Sequence, residues 1–505
     1  MHNTRNTETE WKNKFPNTNI SVCENIISNI DSIKKGFDKC ADIVIRQLSI
    51  GDKYSLRAAL IYIDGMINTE VVELSVINKL NNQTSKIKTK EYYIHLLGLN
   101  DNDTTSQMDI IYKTILQGKA VLLIDTVKFA LLLNLENPPK RDISEPSIEI
   151  NIRGPREGFT ETLTTNVCLL RKRIKNIDLK VEHFIIGSQT ETDLKIIYLD
   201  SIADQEIVAE VRSRIEKIDL NSIVDSTNVE ESIADGGIIN FIPTVFRTEK
   251  PDTASRKILQ GKVALLVDGS PTVLIVPCVF VEHLQAQEDY YNNYILATID
   301  RIIRFVSFLL ALLLPAFWVS ISTFHHELIP TSLVVTVIKT RSGLPFPTLV
   351  EAFFMLAAYE IIKEAGIRMP ESIGQAISVV GALVLGQSAV SAGLVSTPMV
   401  IVIAVTGIAT YVIPSVELTR SIIFPKYVFL ILGGSFGLIG LLSGQLFLLI
   451  YLLSLRSFGV PYLSPFGPLD SEKLKDTIYR KPISQKRNFK IIYNIKQIKK
   501  KLKEK

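Results

Sequence analysis

The sequence predicts a soluble α/β region made of two similar, duplicated subdomains, followed by an all-α multi-spanning membrane domain. Three observations lead to this prediction. Two sequence blocks occur twice before residue 300, long uncharged apolar runs follow residue 304, and basic residues crowd the C-terminus. With 505 residues, of which 47% are hydrophobic, the chain has room for two or three domains.

An eleven-residue motif carries the duplication. Residues 115–125 read ILQGKAVLLID and residues 258–268 read ILQGKVALLVD, and the two agree at eight positions. A second block repeats upstream in the same order, with Ile50 aligned on Ile186, Tyr62 on Tyr198, Asp64 on Asp200 and Glu70 on Glu206. Two blocks repeated in one order predict two copies of one fold.

Each copy reads as a small α/β unit with a mixed sheet, because apolar strands flank a helix and end in a hairpin. The predicted elements are residues 42–50, 58–63, 69–80, 119–124 and 128–133 in the first copy, and residues 180–187, 194–199, 205–218, 262–267 and 272–277 in the second. Asp64 and Asp200 end equivalent strands, where α/β proteins often hold ligands. A helix cap or a turn is the simpler interpretation of both.

Several kinds of chemistry find no support in the residues. The Gln-Gly-Lys triplets lack the P-loop frame and lead from helix into strand, and the six histidines never fall at metal-ligand spacing. Four widely separated cysteines indicate reduced thiols and not a metal or redox site. A net charge of +4 gives no argument for nucleic acid. We therefore expect no enzyme activity, no cofactor and no nucleic-acid partner.

Four apolar spans are predicted in the C-terminal part. Residues 305–323 form the first, and residues 427–455 form the last, which is long enough to tilt or kink. Residues 372–416 contain no charged residue in forty-five positions and hold two spans. Two weaker segments, 328–338 and 344–362, are predicted not to cross, and six spans are the alternative.

The domain boundaries follow from these patterns. They are a polar, disordered start at 1–20, a first α/β subdomain at 21–140, a linker at 141–177, a second α/β subdomain at 178–298, a membrane domain with four or six helices at 299–456, and a basic cytoplasmic tail at 457–505. The start lacks the apolar stretch of a secretory signal. From residue 471 onward there are thirteen Lys or Arg and three acids, so both ends are expected in the cytoplasm.

The candidate pore or gate residues lie in the membrane domain. Glu351 is a carboxylate in an apolar run; it either faces an aqueous vestibule or lies in the headgroup layer on a flat helix. A helix at 374–393 mixes polar and small residues, which suits a pore lining or an ordinary packed helix equally. The candidates are Glu351, Gln375, Ser378, Val380, Val384, Leu385, Gln387, Ser388 and Ser391.

Three ordered motifs are long enough to identify a family. They are PFPTLVEAFFMLAAYEIIKEAGIRMPESIGQAISVVGALVLGQSAVSAGLVSTPMVIVIAVTGIATYVIP at 345–414, SFGVPYLSPFGP at 457–468, and the linker motif Arg153, Gly154, Pro155, Arg156, Glu157, Gly158 and Phe159. Together they resemble the A subunit of the spore germinant receptors, the GerA family. The resemblance covers residues 42 to 468, approximately.

The resemblance implies a function in germination. It implies residence in the spore inner membrane and assembly with a transporter-like B subunit and a lipoprotein C subunit. The implied activity is a homo-oligomeric channel, surrounded by membrane lipids, that couples nutrient sensing to ion release. Two alternatives stay open: a secondary transporter, which predicts a repeat within the membrane half, and a non-conducting signalling scaffold of the same complex.

Overall fold

The chain folds into an α/β N-terminal region with two sheets and a helical C-terminal part, as the sequence predicts. The computed structural model describes residues 21–50, 56–81, 89–135, 154–236, 240–368, 386–469, 474 and 476–480. These fall into two compact units, which are described separately below. The α/β unit holds the described residues up to 234 together with 245–277, and the helical unit holds 235–244 and those from 278 onward.

The first sheet has the strand order β1-β2-β4-β5-β3. Its elements are α1 (Ile26–Gly36), β1 (Ile43–Ile50), β2 (Leu56–Ile63), α2 (Thr69–Val72, continued by the π-helical Glu73–Ile77 and by Asn78–Asn81), α3 (Lys90–Leu97), β3 (Thr104–Thr105), α4 (Met108–Leu116), β4 (Ala120–Ile124) and β5 (Ala130–Leu133). Apolar clusters cover both faces of this sheet, so its central strands are buried on both sides.

The second sheet has the equivalent order β6-β7-β9-β10-β8. Its elements are α5 (Leu163–Arg173), β6 (Leu179–Ile186), β7 (Thr192–Leu199), α6 (Gln205–Glu216), α7 (Ser226–Ile233), β8 (Phe246–Thr248), α8 (Pro251–Leu259), β9 (Val263–Val267) and β10 (Val273–Val276). The segment predicted as a linker therefore contains α5, whose Val167 and Leu170 are buried in the core of this second sheet.

The prediction of mixed sheets is wrong. Every ladder between the described strands of both sheets is antiparallel. Strands buried on both faces read as continuous apolar runs, which is the pattern of parallel strands, and this hides their direction. The edge strands β3 and β8 have two and three residues, too few to leave a periodic signal.

Both sheets repeat individual hydrogen bonds. Asn29 and Asn166 are buried, and each accepts from and donates to the backbone six residues earlier, at Cys23 and Thr160 respectively. The N-caps of α2 and α6 are the side chains of Asn68 and Asp204. Asp64 and Asp200 lie in the turns four residues earlier, so they start a turn and do not cap the helix.

A buried ion pair joins the two sheets within the α/β unit. Arg171 on α5 donates from Nε to Asp42 Oδ2 at 2.7 Å and from Nη2 to Oδ1 at 2.9 Å. Both side chains are 1% exposed. Beside the pair, Ala41 N donates to Val181 O at 2.8 Å, so the residues leading into β1 are also bonded to β6.

The helical unit contains two helices whose length and composition suit a membrane crossing, among the residues described. They are α9 (Tyr294–Phe324) and the run 416–454, formed by α14 (Val416–Ser421) and α15 (Ile423–Ser454). The other elements are α10 (Thr331–Arg341), α11 (Thr348–Arg368), α12 (Gly386–Ser391), α13 (Thr397–Val412) and the short strands β11 (Arg456–Ser457) and β12 (Val460–Pro461). The predicted count of four or six spans stays a prediction.

Helix α15 folds back on itself at Gly437. The backbone there has φ 61° and ψ −145°, a conformation that favours glycine. Phe424 and Tyr451 both pack on the Phe241 ring, with centroid distances of 5.7 and 5.3 Å. In a straight helix these two residues would lie about 40 Å apart. The last apolar block, predicted as one span that tilts or kinks, is therefore broken at Gly437 into a helical hairpin with two arms.

Candidate functional site

Helix α11 lies inside the helical unit, packed against α9, α13 and α15. Their shared core consists of Val319, Ala352, Leu356, Met399, Ile403 and Leu430, all buried. Small residues allow close approach: a Cβ on Gly407 would lie 2.6 Å from the Tyr359 ring. Two acids of α11, Glu351 and Glu360, lie within this packing, where an unpaired charge is costly.

Glu351 is the first of these polar side chains. It is 1% exposed, and its Oε1 accepts hydrogen bonds from both the backbone N and the Oγ of Ser396, each at 2.5 Å. Ser396 is the N-cap of α13, so the carboxylate lies at the positive end of that helix dipole. Glu351 Oε2 and Thr348 Oγ1, three residues earlier, are buried and have no hydrogen-bond partner within the described part of the chain. Within this single chain Glu351 does not face open solvent.

Glu360 forms the second polar contact, two turns further along α11. Its Oε1 lies 3.1 Å from Nζ of Lys426, which is on the first arm of α15 and 1% exposed. Its Oε2 lies 3.6 Å from Nζ of Lys363. A buried ammonium without its carboxylate is strongly unfavourable, so this pair fixes α11 against α15.

A third polar cluster surrounds the start of α9. Asp289, which is 1% exposed, accepts from Arg301 Nε at 2.9 Å and from Arg304 Nη1 at 2.7 Å. Arg301 Nη1 also donates to the backbone oxygen of Asp476 at 2.7 Å. Arg480 donates to the backbone oxygens of Tyr290 and Asn292. Tail residues 476–480 are thereby bound to the beginning of the first long helix.

A cysteine and a histidine also meet in the helical unit. Cys278 Sγ lies 3.2 Å from His283 Nε2, and His283 Nδ1 lies 2.9 Å from Ser415 Oγ. Such a set resembles a nucleophile with its base. Cys278 is 0% exposed and His283 is 1% exposed, so both are enclosed by the protein, and the contact with Ser415 joins two chain segments.

Comparison with known proteins identifies the family. The family model described as Bacillus/Clostridium GerA spore germination protein matches residues 31–490. The chain belongs to the GerA family. The resemblance inferred from the three motifs is thereby confirmed, and so is a role in spore germination.

Individual relatives match over almost the whole chain. Spore germination protein KA of Bacillus subtilis (strain 168) is 39% identical over 466 residues, which are 92% of this chain and 86% of that protein. Spore germination protein GerLA of Bacillus cereus is 33% identical, covering 91% of this chain and 94% of the relative. The crystal structure of the N-terminal domain of the A subunit of the Bacillus megaterium spore germinant receptor GerK3 is 28% identical, with a TM-score of 0.38, and covers 52% of this chain and 97% of that one.

The remaining pore and gate candidates of this GerA-family chain are only partly described. Gln387, Ser388 and Ser391 lie on α12 and are exposed, and none of them contacts Glu351 in a described hydrogen bond. The other candidates, Gln375, Ser378, Val380, Val384 and Leu385, lie outside the described residues.

The linker motif of the family belongs to the second sheet. Phe159 is buried in its core and donates from N to Glu249 O at 2.7 Å. Glu157 forms an ion pair of 2.6 Å with Arg173 at the end of α5. Gly154 has a φ of 123°, Pro155 is half-buried, Arg156 is exposed, Gly158 is buried, and Arg153 lies outside the described residues. The motif therefore leads the chain into α5.

Sequence reasoning missed Lys426, Glu360 and the tail contacts of Arg480. In the sequence Lys426 only precedes an apolar run. No residue close to it in the chain indicates that it pairs with Glu360. In the part of the chain that the structure describes, no group of three or more His, Cys, Asp or Glu is arranged to hold a metal ion.

Proposed function

We propose that this chain is the channel-forming A subunit of a nutrient germinant receptor in the spore inner membrane, acting with a B and a C subunit. Its GerA-family membership over residues 31–490 carries the proposal. Relatives named as spore germination proteins support a role in a multi-subunit receptor. The two apolar helices are compatible with membrane association.

The arrangement of the helices supports more crossings than two. The α15 tip at Gly437 lies beside Phe324, at the end of α9, because a Cβ there would be 3.0 Å from Phe324 Cβ. The two ends of the hairpin meet at Phe241. Each arm therefore runs from the Gly437 end of the helical unit to the Phe241 end. The arms have about 14 and 17 residues, or about 21 and 25 Å, which is shorter than an apolar layer of about 30 Å, so two crossings here require a locally thinned bilayer.

Helices α11 and α13 also run between the Gly437 end and the Phe241 end of the helical unit. Leu349, in the first turn of α11, lies against Gly434 near the tip, and Glu360 pairs with Lys426 near the other end. With α9, α11, α13, two arms of α15 and the span predicted within 372–396, the proposed total is six. An even number keeps both ends on one side, which the arginines before residue 305 assign to the cytoplasm.

Glu351 is the proposed link between the pore and the packed helices. Oε1 binds the N-cap of α13, so the carboxylate fixes the junction that follows the candidate gate helix 374–393. Oε2 is a buried oxygen with no hydrogen-bond partner, and carboxylate oxygens attract cations. Repeated around a homo-oligomer, this group is proposed to attract cations to the pore.

A secondary transporter is the second candidate. It needs helices broken at mid-membrane and a repeat within the membrane half. The break at Gly437 is level with the end of α9, which favours a turn between two crossings over a mid-membrane break. A non-conducting scaffold differs from both because it predicts no flux through the purified subunits.

The two sheets are proposed to be copies of one duplicated unit. Equal strand orders support this, as do the matched hydrogen bonds of Asn29 and Asn166. Superposing residues 42–135 on 178–280 tests it, with Tyr62 expected over Tyr198 and Gly118 over Gly261.

Deletion of the gene in its host tests the proposed function. Spores without the chain are expected to lose germination and ion release with the nutrient of this receptor only, and the wild-type chain restores both. The Glu351→Gln variant is expected to assemble yet release ions abnormally. Normal ion release by correctly assembled Glu351→Gln receptors contradicts the pore role of this carboxylate.

A further inference from the structure

We propose that the arginine cluster at the start of α9, closed by tail residues 476–480, is a binding site for a phosphate group. The cluster contains three guanidinium groups, those of Arg301, Arg304 and Arg480. Two carboxylates, those of Asp289 and Asp476, face them. The cluster therefore holds one positive charge more than its described carboxylates neutralise.

Arg480 is the group without a carboxylate partner. It is 3% exposed, and its described contacts are all neutral: two backbone oxygens and the Tyr290 ring, whose centroid is 5.5 Å from the guanidinium carbon. Cation–π contact offsets part of the desolvation of a guanidinium. A buried charge is nevertheless costly unless an anion neutralises it.

Two buried donors of the cluster, Arg480 Nε and Arg301 Nη2, have no hydrogen-bond acceptor among the residues that the structure describes. Arg301 is also 3% exposed. Guanidinium donors without an acceptor, next to a positive charge without a counterion, indicate a binding site for an oxyanion. The planar guanidinium group presents its N–H donors in a geometry that matches the oxygens of a phosphate.

The position of the cluster suggests where the phosphate comes from. Arg301 and Arg304 directly precede the apolar run 305–323, so the cluster lies at the depth of the lipid headgroups if α9 crosses the membrane as proposed. A lipid phosphate and a free phosphate ion present the same chemistry to arginine. The tail holds the site closed, because Arg480 N donates to Thr298 Oγ1 at 3.2 Å while Arg301 binds the backbone oxygen of Asp476.

Hydrogen exchange of the full-length protein tests the site. The protein is exposed to inorganic phosphate in detergent, with chloride at equal ionic strength as reference. In a second arm the detergent micelles receive phosphatidylglycerol or, as reference, diacylglycerol, which lacks the phosphate. Protection of residues 289–304 and 476–480 is expected to rise about tenfold with the anion, the effect of one charge-assisted contact. A rise in both arms or with free phosphate alone supports the site, and a rise with phosphatidylglycerol alone assigns it to a headgroup.

Variants distinguish binding from folding. Arg480→Gln is expected to abolish the added protection, and Arg480→Lys, which keeps the charge and loses the fork, is expected to retain part of it. Arg420→Gln removes an exposed arginine of α14 and is expected to behave as wild type. If neither anion adds protection to the wild type, or if Arg480→Gln keeps all of it, the proposed site is wrong. Neither outcome depends on whether the protein conducts ions.

Discussion

Asp125 and Asp268 lie 143 positions apart, and each carboxylate accepts a hydrogen bond from the backbone N of the first residue of a helix. Asp125 Oδ1 accepts from Ile26 at 3.2 Å, and Asp268 Oδ1 accepts from Leu163 at 3.0 Å. Both aspartates sit in the hairpin loop after the repeated ILQGK motif. Both copies of the motif therefore also share the hydrogen bond from their loop to a helix. This favours duplication of a whole folding unit over a chance similarity between two strands.

Equivalent asparagines are predicted to have equivalent effects. Asn29→Ala and Asn166→Ala each remove two hydrogen bonds between a buried side chain and the backbone, with an expected cost of about 1–3 kcal/mol. Hydrogen exchange of the full-length protein should show faster exchange in α1 for the first variant and in α5 for the second. Asn78→Ala, at an exposed position, is the control and should leave both helices unchanged. If both variants lower the protection of the same helix and leave the other helix unchanged, the two asparagines are not equivalent.

The ion pair between the sheets is predicted to be a major stabilising contact. Asp42→Asn leaves the Arg171 guanidinium buried without its anion, and breaking such a pair costs about 3–5 kcal/mol. Thermal unfolding of the full-length protein should begin at a clearly lower temperature. Glu210→Gln breaks the exposed pair with Arg214 and should cost about 0.5 kcal/mol or less. Equal effects of the two variants would show that burial of the pair adds nothing.

The thiol of Cys168 is predicted to resist alkylation. Burial, with the nearby carboxylates of Asp42 and Asp64, raises its pKa from the ordinary 9.0 to about 12. Because the folded-state pKa is raised, deprotonation opposes folding, so this contribution to stability is complete below pH 9 and is lost as the pH rises towards 12. At pH 8 N-ethylmaleimide should label the exposed Cys23 and leave Cys168 unlabelled. Mass spectrometry measures both, and equal labelling of the folded protein contradicts the prediction.

The hairpin of α15 is predicted to bring its ends together. A variant with Phe424→Cys and Tyr451→Cys, in a background without the native cysteines, should be joined by a short bismaleimide cross-linker, because both residues contact the Phe241 ring. Phe424→Cys with Phe436→Cys places both thiols on one arm, about 18 Å apart, and should not be joined. Electrophoresis after cleavage between the positions separates the cases. Absence of the first cross-link contradicts the fold-back at Gly437.

Sequence patterns predicted most of the α/β region because its signals are local. Apolar strands and the Asp268-Gly269 hairpin follow from composition within a few residues, and both hairpins lie where predicted. Strand direction is set by the path of the connections and leaves no local mark, so the sheet type was mispredicted. The loop-closing contacts of Asn29 and Asn166 were not predicted, because a buried asparagine that closes a loop resembles an exposed one in the sequence.

The helical unit was harder to predict because its decisive contacts join distant residues. Glu351 was singled out as an acid in an apolar run, yet its partner Ser396 lies forty-five positions away. Gly437 lies within the apolar run 427–455, and only its positive φ in the structure marks it as the turn. Lys426 and Glu360 flank apolar runs, where charged residues are ordinary, so their pairing had no signal.

Ion flux through the reconstituted receptor tests the central claim most directly. The full-length chain is incorporated into liposomes with the proposed B and C subunits, and ion release is recorded as nutrient is added. Nutrient-dependent release is expected to require this chain and to be altered by Glu351→Gln. Release that is unchanged when this chain is left out, with the partners correctly inserted, would contradict it.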